Sequence, residues 1–274
     1  MEDLIRYELF ELEVLDRLKR DGLLERLIFG GGTMLRLCHD MQRYSVDLDF
    51  WLRPGTRADA YYRRLQRALT QAFEMTDSKQ KFFTRLRRKP RASARGGRRS
   101  GCRCEAPQER SRAGFGAVPP HGRQTGATGV SPWGSTLLFE LHSPGYPRRL
   151  KLEIRRRVPR CDTEEKIAFS PHGTTQVLVT GMTLAQMLRN KVEALLDRQE
   201  IRDAFDLEFL LRRGVALEAS VEQLRRMAQI LQRFRPQDYR VTLGSLLEAA
   251  ARTYYQTHRF AYLAERIQAK LTAS

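Results

Sequence analysis

An α+β fold follows from three features of the 274-residue sequence. Residues 27–52 read as a strand, a glycine turn, a short helix and an acidic strand. Residues 136–156 read as two strands around a turn. From Met182 onward the apolar residues recur at helical spacing. A sheet-bearing half, residues 1–160, is therefore expected to precede a mainly helical half, residues 161–274.

Composition sets outer bounds. The hydrophobic content of 41% is enough for a buried core, and no apolar run approaches a membrane span. The start, MEDLIRYELFELEVL, mixes acids with its apolar residues and does not read as a secretory signal. The four cysteines, Cys38, Cys102, Cys104 and Cys161, have no metal-ligand spacing beyond one C-x-C. Reduced thiols in a cytoplasmic protein, with no membrane partner, are the simplest reading. The net charge of +17 points to nucleic acid. Much of it is local, since residues 85–134 hold twelve Lys and Arg against two Glu.

Taken in order, residues 3–19 place Leu4, Ile5, Leu9, Leu12, Leu15 and Leu18 near helical spacing. Acids come early and Lys19 and Arg20 late, which suits a helix dipole. Leu27-Ile28-Phe29 is a short strand running into Gly30-Gly31-Gly32-Thr33. Thr33 is expected to cap a helix with Met34, Leu35, Leu37 and Met41 inward. From Ser45 to Leu52 alternation is strict, so Asp47 and Asp49 project from one face of a strand. Two like charges so placed repel, and a divalent cation would reverse that cost.

Residues 58–74 form a helix with a stripe of Tyr61, Leu65, Ala68, Leu69 and Phe73. A strand begins at Lys81. Residues 85–134 are rich in Arg, Gly, Pro, Ala and Ser, and cannot bury enough apolar surface to order themselves. They read as a basic RNA-binding arm or as an inserted or frame-shifted segment. The fit of Phe82-Phe83-Thr84 to Thr136-Leu137-Leu138-Phe139 favours the second.

Thr136 to Leu141 and Leu150 to Arg156 form a hairpin about the turn at 143–147. Glu153 is then a third acid on a polar strand face. Gln176 to Val179 suggests one more strand. Thr183 caps a helix with Leu184, Leu188, Val192 and Leu195 inward, and Lys191 and Arg198 lie beside that stripe. Two cations there would be explained by a polar cleft. Ile201 to Arg213 is a helix ended by Gly214, with Asp203 and Asp206 on one face. Val221–Phe234 and Val241–Leu271 are further helices, separated by Pro236.

The glycine turn and the D-x-D pair are each weak signals. Together with a third acid they suit metal-dependent nucleotidyl transfer. Paired carboxylates hold Mg²⁺ on a triphosphate, backbone N–H groups at a helix start hold phosphates, and a lysine neutralises charge.

The chain resembles the AbiEii-type nucleotidyltransferase toxins of type IV toxin–antitoxin systems, within the polymerase-β-like nucleotidyltransferase superfamily. The resemblance rests on FGGGTMLRLCHDMQRYSVDLDFWL at 29–52, SPGYPRRLKLEIR at 143–155 and KVEALLDRQEIRDAFDLEFLL at 191–211. It implies a nucleotidyltransferase core with a mixed β-sheet, followed by a helical domain that completes the active-site cleft. It implies that Gly31, Gly32 and Thr33 flank the nucleotide and that Asp47 and Asp49 bind metal. Arg43 and Ser45 match an R-x-S-x-D lead-in. Lys191 matches an essential lysine and Asp206 a later essential aspartate, with Arg198 and Asp203 nearby. Glu153, placed by strand register, would complete the metal site or take a proton. The implied activity is Mg²⁺-dependent transfer from an NTP to RNA, at the tRNA 3′ acceptor end. Blocked translation, phage defence and neutralisation by a cognate antitoxin protein would follow. Two rivals stay open: an RNA-binding protein that keeps the fold without the chemistry, and a transferase acting on a protein or small-molecule hydroxyl. The segment at 85–134 is the one departure from the family pattern, because it interrupts the expected sheet.

Overall fold

The computed structural model describes residues 2–72, 79–83, 136–141, 143, 145–146, 149–156 and 161–273, with the backbone alone at 79–83. The expectations for residues 85–134, including Cys102 and Cys104, lie outside the described residues.

Seven strands form one mixed sheet in the order β3-β4-β5-β2-β1-β7-β6. They are β1 (Leu27–Gly30), β2 (Asp47–Leu52), β3 (Lys79–Phe83), β4 (Thr136–Leu141), β5 (Leu150–Arg155), β6 (Thr163–Phe169) and β7 (Gln176–Met182). The β2–β5 and β1–β7 pairs are parallel and the others antiparallel. The expected α+β class is observed. The sheet takes in β6 and β7 from beyond residue 160, so the helical part of the chain begins at Leu184.

The hairpin of β4 and β5 holds, with Leu138 opposite Glu153. Strand β3 pairs antiparallel with β4, and Phe83 lies opposite Thr136. The two ends that flank the basic segment are thus partners across one ladder, as their sequences suggest. Strand β6 escaped the sequence reading. It is an edge strand in which only Ala168 is fully buried, so its apolar residues show no inward alternation.

Helix α1 (Glu2–Arg20) buries Tyr7, Phe10, Leu12, Val14, Leu15 and Leu18, and with them Glu8 and Glu11. Glu8 is tolerated because Arg36 lies 2.6 Å away and Ser170 donates a hydrogen bond to it. Helix α3 (Ala58–Ala72) buries Tyr61, Leu65, Ala68 and Leu69, four of the five stripe residues read from sequence; Phe73 lies outside the described residues.

Helix α4 (Leu184–Arg198) is capped by Thr183, whose hydroxyl accepts from Gln186 N–H. Helix α5 (Ile201–Arg212) ends before Gly214, which takes φ +82°. Helix α6 (Val221–Arg233) carries a capping box of Ser220 and Gln223. The single helix expected at 241–271 is not observed. The chain makes a π-helical turn (Asp238–Leu243), a 3₁₀ turn (Gly244–Leu246), α7 (Ala249–His258) and α8 (Ala261–Thr272). Between α7 and α8 Arg259 adopts φ +52° and Phe260 is buried, and that reversal ends the run. The extended stretch before α7 braces the lead-in to β2. Arg43 forms a bridge with Leu247, and Tyr44 N–H donates to Leu246 C=O at 2.9 Å.

Candidate active site

The strand order places β2 between β1 and β5. In the parallel β2–β5 register Asp47 lies opposite Lys151 and Asp49 opposite Glu153. The antiparallel register with β1 sets Gly30 opposite Asp49. The glycine turn and three acidic side chains therefore share one end of the sheet.

Helix α2 (Gly31–His39) begins three residues earlier than expected. Its N-cap is Gly30, in extended backbone, and Thr33 lies inside the helix. The Thr33 hydroxyl, fully buried, donates to the Asp47 C=O at 2.6 Å and lies 3.3 Å from Glu11 Oε1. Thr33 pins α2 to the start of β2, and its side chain is not open to a ligand. Gly31 adopts φ +77°, and a Cβ there would collide with the Asp49 carboxylate. A Cβ on Gly32 would come within 2.6 Å of the Arg43 guanidinium and 2.8 Å of Ser45 Oγ. Backbone, aspartate and the Arg43–Ser45 lead-in touch only because both positions lack side chains.

Asp47 and Asp49 are half-buried. Among the described residues neither carboxylate takes part in a hydrogen bond or a close ion pair. Burial pushes Asp49 up to about 6, helped by the Glu153 and Asp47 charges. Burial also raises Asp47, against the opposing charges of Lys151, Arg202 and Arg43. Glu153 is engaged differently. Lys151 Nζ is 3.0 Å from its carboxylate and Arg155 Nε 3.6 Å. Among the described residues no three of His, Cys, Asp and Glu form a ready-made metal cage. Thus the three acids are neighbours, but only the two aspartates are unengaged.

The helical half contributes a chain of ion pairs. Asp206, wholly buried, meets Arg43 at 2.7 Å and Lys191 at 2.6 Å. Burial alone would raise its pKa, yet these two cations hold its carboxyl below the usual range. Asp203 Oδ1 meets Lys191 at 3.2 Å and Arg198 at 2.8 Å, while its buried Oδ2 has no partner among the described residues. The Asp203–Arg198 pair runs from a buried carboxylate out to an exposed guanidinium. Lys191 faces a doubly acidic neighbourhood, and its charge also lowers Asp49 slightly. The predicted meeting of the two halves is thus made through Arg43, Asp206 and Lys191.

Sequence reasoning missed Lys151 and Arg202, the two strongest opposing charges on Asp47. Lys151 could have been found, since it shares the polar face of β5 with Glu153. Arg202 had no signal of its own, because its place depends on how α5 meets β2.

Comparison with known proteins decides the family. The model of the nucleotidyl transferase AbiEii toxin family, type IV toxin–antitoxin system, matches residues 13–268. The chain belongs to this family. It is accordingly a nucleotidyltransferase of the toxin type. No curated protein matches it. Among solved structures, a candidate nucleotidyltransferase from H. pylori aligns with 16% identity over 96% of each chain and a TM-score of 0.50, which supports the shared fold. JHP933 from Helicobacter pylori aligns over 97% of this chain and 95% of that one, at 15% identity and a TM-score of 0.49. MenT4, a nucleotidyltransferase toxin from Mycobacterium tuberculosis H37Rv, aligns over 95% of this chain and 88% of that one, at 16% identity and a TM-score of 0.43. None of the described helices is long and apolar enough to cross a membrane.

Proposed function

We propose that this enzyme transfers a nucleotide from an NTP to the 3′ end of RNA, with Mg²⁺, and that the acceptor is tRNA. The observation that carries the reading is the pair of carboxylates, Asp47 and Asp49, with Asp49 set against Gly31 and neither carboxylate partnered among the described residues. Their raised pKa values record repulsion and burial that a cation would relieve. The lack of a three-ligand cage fits Mg²⁺, which is commonly held by one or two carboxylates together with substrate phosphates.

Asp47 and Asp49 would hold the ion. When bound, it would supply charge neutralisation along the triphosphate and lower the pKa of an attacking hydroxyl. The start of α2 would offer backbone N–H groups to a phosphate, while the bare Gly31 and Gly32 positions make room for Asp49 and the Arg43–Ser45 lead-in beside it. The Lys151 and Arg202 charges act on Asp47 and would steady the phosphates, while Arg43 stays on Asp206. Lys191 and Arg198 orient Asp203 and Asp206, and Lys191 would turn towards phosphate if a ligand drew it from them. Glu153, opposite Asp49, would take the acceptor proton on its carboxylate or join the metal site on release from Lys151.

An RNA acceptor is favoured by the basic balance of +17. A blocked tRNA end would stop translation, and a cognate antitoxin protein would relieve it. These roles belong to a cytoplasmic protein. The test incubates purified protein with α-labelled NTPs, Mg²⁺ and total tRNA. Label is expected in tRNA and should vanish when the tRNA 3′ ends are oxidised with periodate beforehand. Label found instead in protein, or in an aminoglycoside, would replace RNA as the acceptor.

A further inference from the structure

The carboxylates lie towards one end of the β1–β2 pair. The other end carries a charged feature that the chemistry above leaves unused. There Arg53 N–H donates to Arg26 C=O at 2.9 Å, and the chain turns through Gly55 into α3. A hollow of 200 Å³ opens at this turn, with Arg26, Thr56, Arg57, Tyr61 and Arg64 in its lining. A water occupies about 30 Å³ of liquid, so a phosphate group with its hydration fits.

Arg26, Arg57 and Arg64, all exposed, line the hollow, and among the described residues none of them pairs with a carboxylate. Arg64 reaches only the Asp21 C=O, at 3.4 Å. Tyr61 directs its hydroxyl to Leu23 C=O and so offers the hollow an apolar wall. Thr56 Oγ1 is shielded from solvent and has no partner among the described residues. The first turn of α3 adds unpaired backbone N–H groups at its positive end. The nearby acids, Glu25 and Asp59, are exposed. Like charges gathered round one hollow repel, and an anion removes that cost.

We propose that this hollow is a second phosphate-binding site, taking a backbone phosphodiester of the acceptor RNA. The proposal rests on the reading that the acceptor is RNA. Four to six residues of extended chain separate Asp49 and Asp47 from Arg53, about 13–20 Å. That is too far for the phosphates of an NTP held by the carboxylates. It suits a phosphodiester several nucleotides from the reacting 3′ end. The same chemistry could take free phosphate, and the test separates the two.

The test compares the intact protein with R57Q/R64Q by fluorescence anisotropy of labelled tRNA at several salt concentrations. The variant is expected to bind at least about tenfold more weakly. Its slope of log affinity against log salt should fall by about 0.7–0.9 for each phosphate that is no longer neutralised. The KM for NTP should not change. Unchanged affinity and slope, or an NTP KM that rises in parallel, would overturn the proposal. Binding of inorganic phosphate alone, abolished in R57Q/R64Q while tRNA affinity is kept, would assign the hollow to free phosphate and overturn the RNA role. If the double variant does not fold, R26Q is read by the same criteria. Because binding is measured without turnover, a wild type that fails to label RNA would sink the proposed activity and still leave this comparison decisive.

Discussion

Asp49 stands half-buried between Glu153 and Asp47, against a glycine that has no room for a side chain. An arrangement that costs stability without ligand is what a binding site shows when function opposes folding. Asp49→Asn should therefore lower nucleotide transfer by about 10²–10³-fold, the scale of losing one charge-stabilising group. The same variant should melt at the wild-type temperature or above it in metal-free buffer. Calorimetry beside a label-transfer assay checks both halves of that expectation. Gly31→Ala should act in the opposite sense on stability. It forces a side chain into φ +77° and into the Asp49 carboxylate, so activity should fall steeply, with about 1–3 kcal/mol of stability lost in denaturant unfolding. His39 gives a pH signature. Burial, with the Lys166 and Arg213 charges, lowers its pKa from the usual 6.5 to about 4. The unfolded chain thus binds this proton first as pH falls, so the contribution is complete above about 6.5 and is lost towards pH 4. Stability measured from pH 7 to 4 should fall less steeply in His39→Asn. At this scale the residue types were legible, since Asp47, Asp49 and the glycines are marked by their own pattern. The engagement of Glu153 by Lys151 was legible only as far as their shared face of β5, and the pair itself is set by side-chain geometry.

The join between the sheet and the α4–α5 pair runs through Asp206. It is buried, and both of its cations come from elsewhere, Arg43 ahead of β2 and Lys191 on α4. Removing one partner of such a network strands the others in a low dielectric. Asp206→Asn should cost about 3–5 kcal/mol in urea unfolding. In a double-mutant cycle Arg43 and Asp206 should couple strongly, whereas simple additivity would mean that the pair is not the join. Most elements were legible because each has one inward face: α1, α3, β2, β5, α4 and α5 all follow their apolar stripes. Two failures have physical causes. Edge strand β6 has little to bury, so periodicity cannot mark it. The run at 241–271 keeps helical composition through a π turn, a 3₁₀ turn and a reversal at Arg259, which packing around Phe260 and Tyr239 sets.

Across the molecule, a seven-stranded mixed sheet supplies the carboxylates and glycine turn, and the helices supply Lys191, Asp203 and Asp206, of which Asp206 meets Arg43 ahead of β2. Their juxtaposition was expected from the family resemblance. Its route through Leu246, Leu247, Arg43 and Asp206 was not, since neighbours so distant in sequence leave no local pattern. Because Phe83 lies opposite Thr136, replacing residues 84–135 by Asn-Gly would close β3 and β4 as a two-residue hairpin. That variant should fold, melt within a few degrees of the full chain and keep its transfer activity; loss of the fold would give residues 84–135 a structural part. The central claim is that Asp47 and Asp49 hold the metal for nucleotide transfer to RNA. Its most direct test is a Mg²⁺ titration of labelled-nucleotide transfer to tRNA by the full-length wild type and by Asp47→Ala, with chelator as control. Saturable transfer by the wild type, abolished by chelator and absent from Asp47→Ala, is expected. No transfer by the wild type, or equal transfer by Asp47→Ala, would contradict it.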